Sequence, residues 1–222
     1  QHADGRIGGP PAAAGHKRFL AALDDCWHAE RDHLGREDGS PFVGGWFLYL
    51  GYELAGEIEP TLRLPASRLP RALAWRMRGA VVRDRQTGAL TLHAEDDLEE
   101  RLLADFAADL ADVGDAAGGA SSAPVVEGAV DEEPALRFVD GVRAVLDAIG
   151  RGDVYQANLS RGWQARLAAG ATPADLYRRL RAANPAPFAG SAVLPGFTLL
   201  SSSPERLLRI RGDVASTRPI AG

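Results

Sequence analysis

Apolar residues change their spacing several times along the chain, and each change marks an element. Phe19, Leu20, Leu23 and Trp27 recur at helical intervals and predict a short amphipathic helix from His16 to about Leu34. Gly39-Ser40-Pro41 ends it. Phe42 to Tyr52 is aromatic and apolar without helical spacing, which predicts a buried strand. Leu73 to Val82 and Leu90 to His93 predict a hairpin turning at Gln86-Thr87-Gly88. Leu98, Leu102, Leu103, Phe106, Leu110 and Val113 then fall on one helical face, so Glu95 to Val113 reads as a helix with acids in its first turn.

The second half repeats the alternation. Pro134 opens a helix expected to bury Phe138, Val142, Val145, Leu146 and Ile149 and to stop at Gly150. Asp153 to Leu167 predicts a strand, on which Gln156 and Asn158 would share one face. Thr172 caps the next helix, with Pro173 at its first position and Asp175 at its third; it ends at Asn184-Pro185. Ala192 to Leu200 folds back around Pro195-Gly196, and Leu207 to Ile210 pairs with Val214 to Thr217 across Gly212-Asp213. Hairpins outnumber strand-helix-strand crossovers, so the fold class is α+β, with antiparallel sheets packed with helices. Three regions follow: an N-terminal region over 1–113, a flexible linker over the Gly-, Ala-, Ser- and acid-rich residues 114–133, and a third region over 134–222.

Composition narrows the classes of function. The chain has 222 residues, a 45% hydrophobic content and a formal net charge of -5, which gives a nucleic-acid partner no electrostatic support. No apolar run approaches the ~20 residues of a membrane span. Cys26 is the only cysteine, so no disulfide framework or thiolate metal site is available, and a reducing, cytoplasmic setting is expected. His2, His16, His28, His33 and His93 do not adopt zinc-binding spacing. The Arg-Gly-Asp triplets at 151–153 and 211–213 read as turns. The chain begins at Gln1 and stops abruptly at Gly222, and it is expected to be a piece of a longer protein.

Few residues suggest chemistry. Ser201-Ser202-Ser203 lacks the setting of a serine nucleophile and reads as a hydroxyl-rich strand end. Glu205 follows Pro204 at a strand-to-strand junction behind the apolar run Phe197 to Leu200. Two readings stay open there: a carboxyl buried enough to keep its proton and act as a general acid, or a solvated turn glutamate paired with Arg206 or Arg209. Gln156 and Asn158 likewise either point into a polar site or face solvent.

Gly152 to Ser160 (GDVYQANLS), Ser201 to Ile210 (SSSPERLLRI) and Thr217 to Gly222 (TRPIAG) resemble successive signatures of the chorismate-utilising enzymes. Gly44 to Glu59 resembles the N-terminal segment of one branch, aminodeoxychorismate synthase component I, and Gln156-x-Asn158-Leu159 favours that branch over anthranilate synthase component I. The resemblance implies two face-to-face sheets flanked by helices in the full protein. It also implies amination of chorismate at C4 for 4-aminobenzoate and folate synthesis, with ammonia from a glutamine amidotransferase partner. Glu205 falls on the family's proposed general acid, and Gln156, Asn158, Ser203, Thr217 and Arg218 fall in its substrate-site motifs. Ala221 stands where lysine-bearing relatives carry a nucleophile, which implies direct attack by ammonia; it matches both alanine-bearing aminodeoxychorismate synthases and the anthranilate enzymes. The implied cofactor is Mg2+, with its ligands beyond Gly222, and the isolated chain is expected to be inactive, with sheet edges and apolar faces exposed. A non-catalytic binding module is the alternative to an enzyme.

Overall fold

In the computed structural model the described residues are 1–31, 41–95, 98–113 and 123–219. The chain divides into two compact units, Gln1–Ala116 and Ala117–Gly222. Both are mixed α+β, and every strand pairing among the described residues is antiparallel.

The first unit runs α1 (Phe19–Glu30), β1 (Gly45–Leu50), α2 (Ala55–Ile58), β2 (Ala72–Met77), β3 (Gly79–Arg83), β4 (Leu90–Ala94) and α3 (Glu99–Val113). Strand β1 pairs with β2 from Gly45↔Met77 to Leu50↔Ala72, and β3 pairs with β4 from Gly79↔Ala94 to Arg83↔Leu90. The single strand expected over Leu73 to Val82 is therefore two strands, broken at Arg78 and joined to different partners. Gly79 sits at the break, where a Cβ would meet the Leu102 methyl of α3, so a side chain there would make that leucine shift. The β3–β4 turn is held by Asp84, whose carboxylate accepts the amides of Gln86 and Thr87 at 2.7 and 3.1 Å.

The core of this unit is small. Phe19, Leu54 and Ala72 are buried together, with Leu20 and Leu23 against them; Ala13, Ala22 and Cys26 form a second cluster. Strand β1 is less enclosed than expected, since Phe47, Leu48 and Leu50 remain exposed on its two-stranded sheet. Helix α1 has no side-chain cap of its own. Glu57 of α2 supplies one from 38 residues away, accepting the amides of Phe19 at 2.7 Å and Leu20 at 3.1 Å. A carboxylate there satisfies two open donors and complements the positive end of the helix. Glu57→Ala is expected to destabilise the first unit by about 1–2 kcal/mol in thermal unfolding, the scale of a lost N-cap. Glu57→Gln, which keeps one acceptor oxygen, should cost less; equal losses would show that capping is not the cause.

The second unit runs β5 (Val126–Glu132), α4 (Ala135–Arg151), β6 (Trp163–Leu167), α5 (Pro173–Ala183), β7 (Phe188–Leu194), β8 (Phe197–Ser203), β9 (Arg206–Arg211) and β10 (Val214–Arg218). Two expectations are corrected here. Residues 126–132, expected within the linker, form β5 and pair with β6, while residues 114–122 lie outside the described residues. Backbone ladder bonds order this segment, so its poverty in large apolar residues was misleading. Helix α4 passes through Gly150 and ends at Gly152, whose left-handed φ of 78° makes it the residue that terminates the helix. The capping box of α5 is as expected: Asp175 N donates to the Thr172 hydroxyl at 3.2 Å, and Thr172 N donates to the Asp175 carboxylate at 2.8 Å.

Apolar surface is plentiful in this unit. Helix α4 has no buried residue, Leu207 is 88% exposed and Tyr155 is 96% exposed. Val125 and Leu194 are the buried apolar residues among those described in it.

Candidate active site

The Ser-Pro-Glu segment is built by two hairpins in succession. Strands β7 and β8 pair without interruption from Leu194↔Phe197 to Phe188↔Ser203. Pro204 lacks the donor that would continue the ladder, so β8 stops at Ser203. Ser202 Oγ donates to the carbonyl of Asn184 at 2.6 Å and ties β8 to the end of α5. Ser203 Oγ donates to the backbone carbonyl of Glu205 at 3.2 Å, bridging the junction. Glu205 therefore sits in a two-residue link with its backbone held from one side.

Strand β9 begins at once with Arg206, which stands opposite Arg218 of β10. The ladder shifts between Ser216 and Arg218, so Leu207 and Leu208 together face Thr217 as a bulge. Glu205, Ser203, Thr217 and Arg218 are thus gathered around the open end of one hairpin. The Arg206 Nε is buried without a hydrogen-bond partner, and it adjoins Glu205 in the chain. Glu205 itself is exposed, so of the two readings left open the buried carboxyl is absent here. Its carboxylate makes no ion pair with Arg206 or Arg209 among the described residues, and the solvated-pair alternative is not realised either.

Gln156 and Asn158 are placed differently from expectation. They lie in a segment without regular structure that runs from Asp153 to Gly162, and both are exposed. The strand expected there needs a partner, and β5 supplies one only as far as Glu132↔Trp163. Beyond it, Glu133 N donates to Gly162 O at 3.0 Å and Pro134 turns the chain into α4, so among the described residues β5 offers 153–161 no further ladder. No hydrogen bond among the described residues joins Gln156 or Asn158 to the Glu205 hairpin. Ala221 lies outside the described residues.

Sequence reasoning passed over Arg161, which follows the Gln-x-Asn motif. Its guanidinium pairs with Glu132 at 2.5 Å and donates to Glu133 O at 3.3 Å. It also lies over the rings of Phe138 at 5.6 Å and Trp163 at 5.3 Å. The run Glu132-Glu133 ahead of a helix and an arginine beside Trp163 were the available signals. Among the described residues no group of three or more histidine, cysteine or acidic side chains is arranged to hold a metal ion. No helix among the described residues is long and apolar enough to cross a membrane.

Comparison with known proteins adds the wider context. The family model described as "chorismate binding enzyme" matches residues 7–222. An anthranilate synthase component I-like protein of Synechocystis is 31% identical over 92% of this chain and 41% of its own length. A 2-amino-4-deoxychorismate synthase of Streptomyces globisporus is 33% identical over 95% of this chain and 42% of its own. The crystal structure of anthranilate synthase component I from Streptococcus pneumoniae superposes with a TM-score of 0.67 at 21% identity, covering 88% of this chain and 46% of that one. That superposition carries the fold. The chain spans less than half the length of these relatives.

Proposed function

Because the chain belongs to the chorismate-binding enzyme family, we propose that its protein aminates chorismate at C4, as component I of an aminodeoxychorismate synthase. The observation that carries the amination is Glu205, an acid held at a strand junction within the matched region. Hydroxide is a poor leaving group, so replacing the C4 hydroxyl by an amine needs an acid at the departing oxygen. Glu205 gives its proton as the C4–O bond breaks, water leaves, and the lone pair of ammonia forms the C4–N bond. The surplus ammonium proton then returns to the carboxylate. Gln156 and Asn158 supply neutral amide donors and acceptors for the substrate's oxygens. With Ala221 unable to form a covalent adduct, ammonia attacks directly. A glutamine amidotransferase subunit supplies the ammonia; Mg2+, were it bound by groups other than the described residues, would offset the charge of the ring carboxylate. The product feeds 4-aminobenzoate and folate synthesis in the cytoplasm.

A second reading has its own support. The anthranilate synthase names among the relatives, and the 2-amino product in the name of the Streptomyces globisporus protein, favour attack at C2. Ala221 fits either position. The two separate in one assay of the complete reading frame with chorismate, ammonium and Mg2+. Amination at C4 consumes chorismate without releasing pyruvate, because the enolpyruvyl group stays on the ring; a 2-amino product that keeps that group releases none either, so NMR assignment of the aminated carbon completes the separation. Stoichiometric pyruvate and anthranilate fluorescence would replace the C4 reading with the anthranilate reaction.

A further inference from the structure

We propose that Arg161 is a positioning residue that fixes the shape of the Gln156–Ser160 loop for its substrate. This deepens the chorismate-amination reading and rests on it. Among the described residues the loop has no backbone ladder, and its ends and side-chain anchors are what hold it. Upstream it leaves Gly152, the left-handed residue that ends α4. Along its length one anchor is visible at Leu159. A Cβ built on Gly141 of α4 would lie 3.6 and 3.8 Å from the two methyl carbons of Leu159, so that side chain rests directly on the helix backbone.

Downstream the anchor is Arg161, one residue past Ser160. Its guanidinium is held on three sides by elements that flank the loop. Glu132 at the end of β5 pairs with it, the Glu133 carbonyl just before α4 accepts from it, and Phe138 of α4 and Trp163 of β6 present ring faces to it. The side chain is 24% exposed, and its Nε is buried without an acceptor. Such a site suits a planar cation that stacks on rings while pairing with a carboxylate at its edge. Lysine keeps the charge but not the plane. The end of β5, the start of α4 and the start of β6 meet at this one side chain, so a loop entering β6 is set by it.

The test uses Arg161→Met, which loses charge and plane, and Arg161→Lys, which retains the pairing with Glu132. Backbone 15N order parameters are measured for residues 156–160 in the complete reading frame. In Arg161→Met they are expected to fall below about 0.6, the range of mobile backbone, while those of α5 stay unchanged. Arg161→Lys should lie between the two. In the complete reading frame, Arg161→Met should raise the chorismate KM roughly tenfold with kcat within about threefold, the signature of lost binding rather than lost chemistry. Arg161→Lys should recover part of that rise. Unchanged order parameters would overturn the anchoring, and a loosened loop with an unchanged KM would overturn its part in the substrate site. If wild-type protein leaves chorismate untouched, the function reading fails while the order parameters still decide the anchor.

Discussion

Glu205→Gln in the complete reading frame is expected to lower chorismate turnover by about two to four orders of magnitude, the range for loss of a general acid. The replacement has nearly the same shape and polarity but carries no proton that a departing hydroxyl can take. Its structural cost should be small. Glu205 is exposed, and the hydrogen bond that holds the junction runs from Ser203 Oγ to the Glu205 backbone carbonyl, which the substitution leaves in place. Surface substitutions of this kind stay within about 0.5 kcal/mol. The loss should therefore fall on kcat, with the chorismate KM and the unfolding midpoint near their wild-type values. Near-wild-type turnover would remove Glu205 from the chemistry.

The second large effect concerns stability of the first unit. Arg76 on β2 lies at the centre of a charged cluster: it pairs with Glu30 of α1 and with Glu95, and it covers the Trp46 ring at 5.0 Å. Its other nitrogen donates to Met77 O at 2.8 Å and Gly45 O at 3.3 Å, and Arg78 holds the second oxygen of Glu95 at 2.6 Å. The Glu95 side chain is only 14% exposed. Burial works against its charge, but the hydrogen bonds from Arg78 and Arg76 outweigh that and hold its carboxyl below the usual range. Arg76→Met takes the partner from Glu30 and leaves Glu95 to Arg78 alone, and is expected to cost about 2–3 kcal/mol at pH 7, or roughly 10–15 °C in the unfolding midpoint of a unit this size.

The pH dependence has a definite sign. A carboxyl whose value is depressed in the folded state contributes fully above its unfolded value and loses that contribution as pH falls through the folded one. The gap between wild type and Arg76→Met should therefore be widest at neutral pH. It should narrow as pH falls below the ordinary carboxylate range, because protonation of Glu95 weakens its pairing with Arg76 in the wild type and removes the charge left less paired in the variant. Unfolding midpoints at pH 7 and pH 3.5 would measure it. A gap of equal size at both would show that packing of the arginine stem, not the ion pairs, carries the effect.

Local signals were legible where a single residue type dictates backbone geometry. Thr172, Pro173 and Asp175 specify the start of α5 on their own, and the glycines at 196 and 212 specify the last two hairpins. Legibility failed where an element depends on a distant partner. Val154, Tyr155 and Leu159 have strand-forming side chains, but β5 ends too soon to pair with them. The reverse holds for Val126 to Glu132, which looks like linker and is ordered by its ladder to β6. Leu73 to Val82 reads as one strand because nothing local reveals that α3 passes over Gly79. The site divides in the same way. The hairpin that presents Glu205 was readable from Pro204 and Gly212, whereas the irregular course of the Gln156–Ser160 loop was not. The acid role proposed for Glu205 rests on the Ser-Pro-Glu signature rather than on its surroundings, where it is exposed.

In the proposed reaction ammonia nitrogen is placed on the chorismate ring at C4. The most direct measurement is reaction of the complete reading frame with chorismate, Mg2+ and 15N-ammonium, followed by NMR assignment of the labelled position. The account predicts one 15N bonded to C4, with the enolpyruvyl group still attached. Label at C2, or chorismate recovered without label, would contradict it.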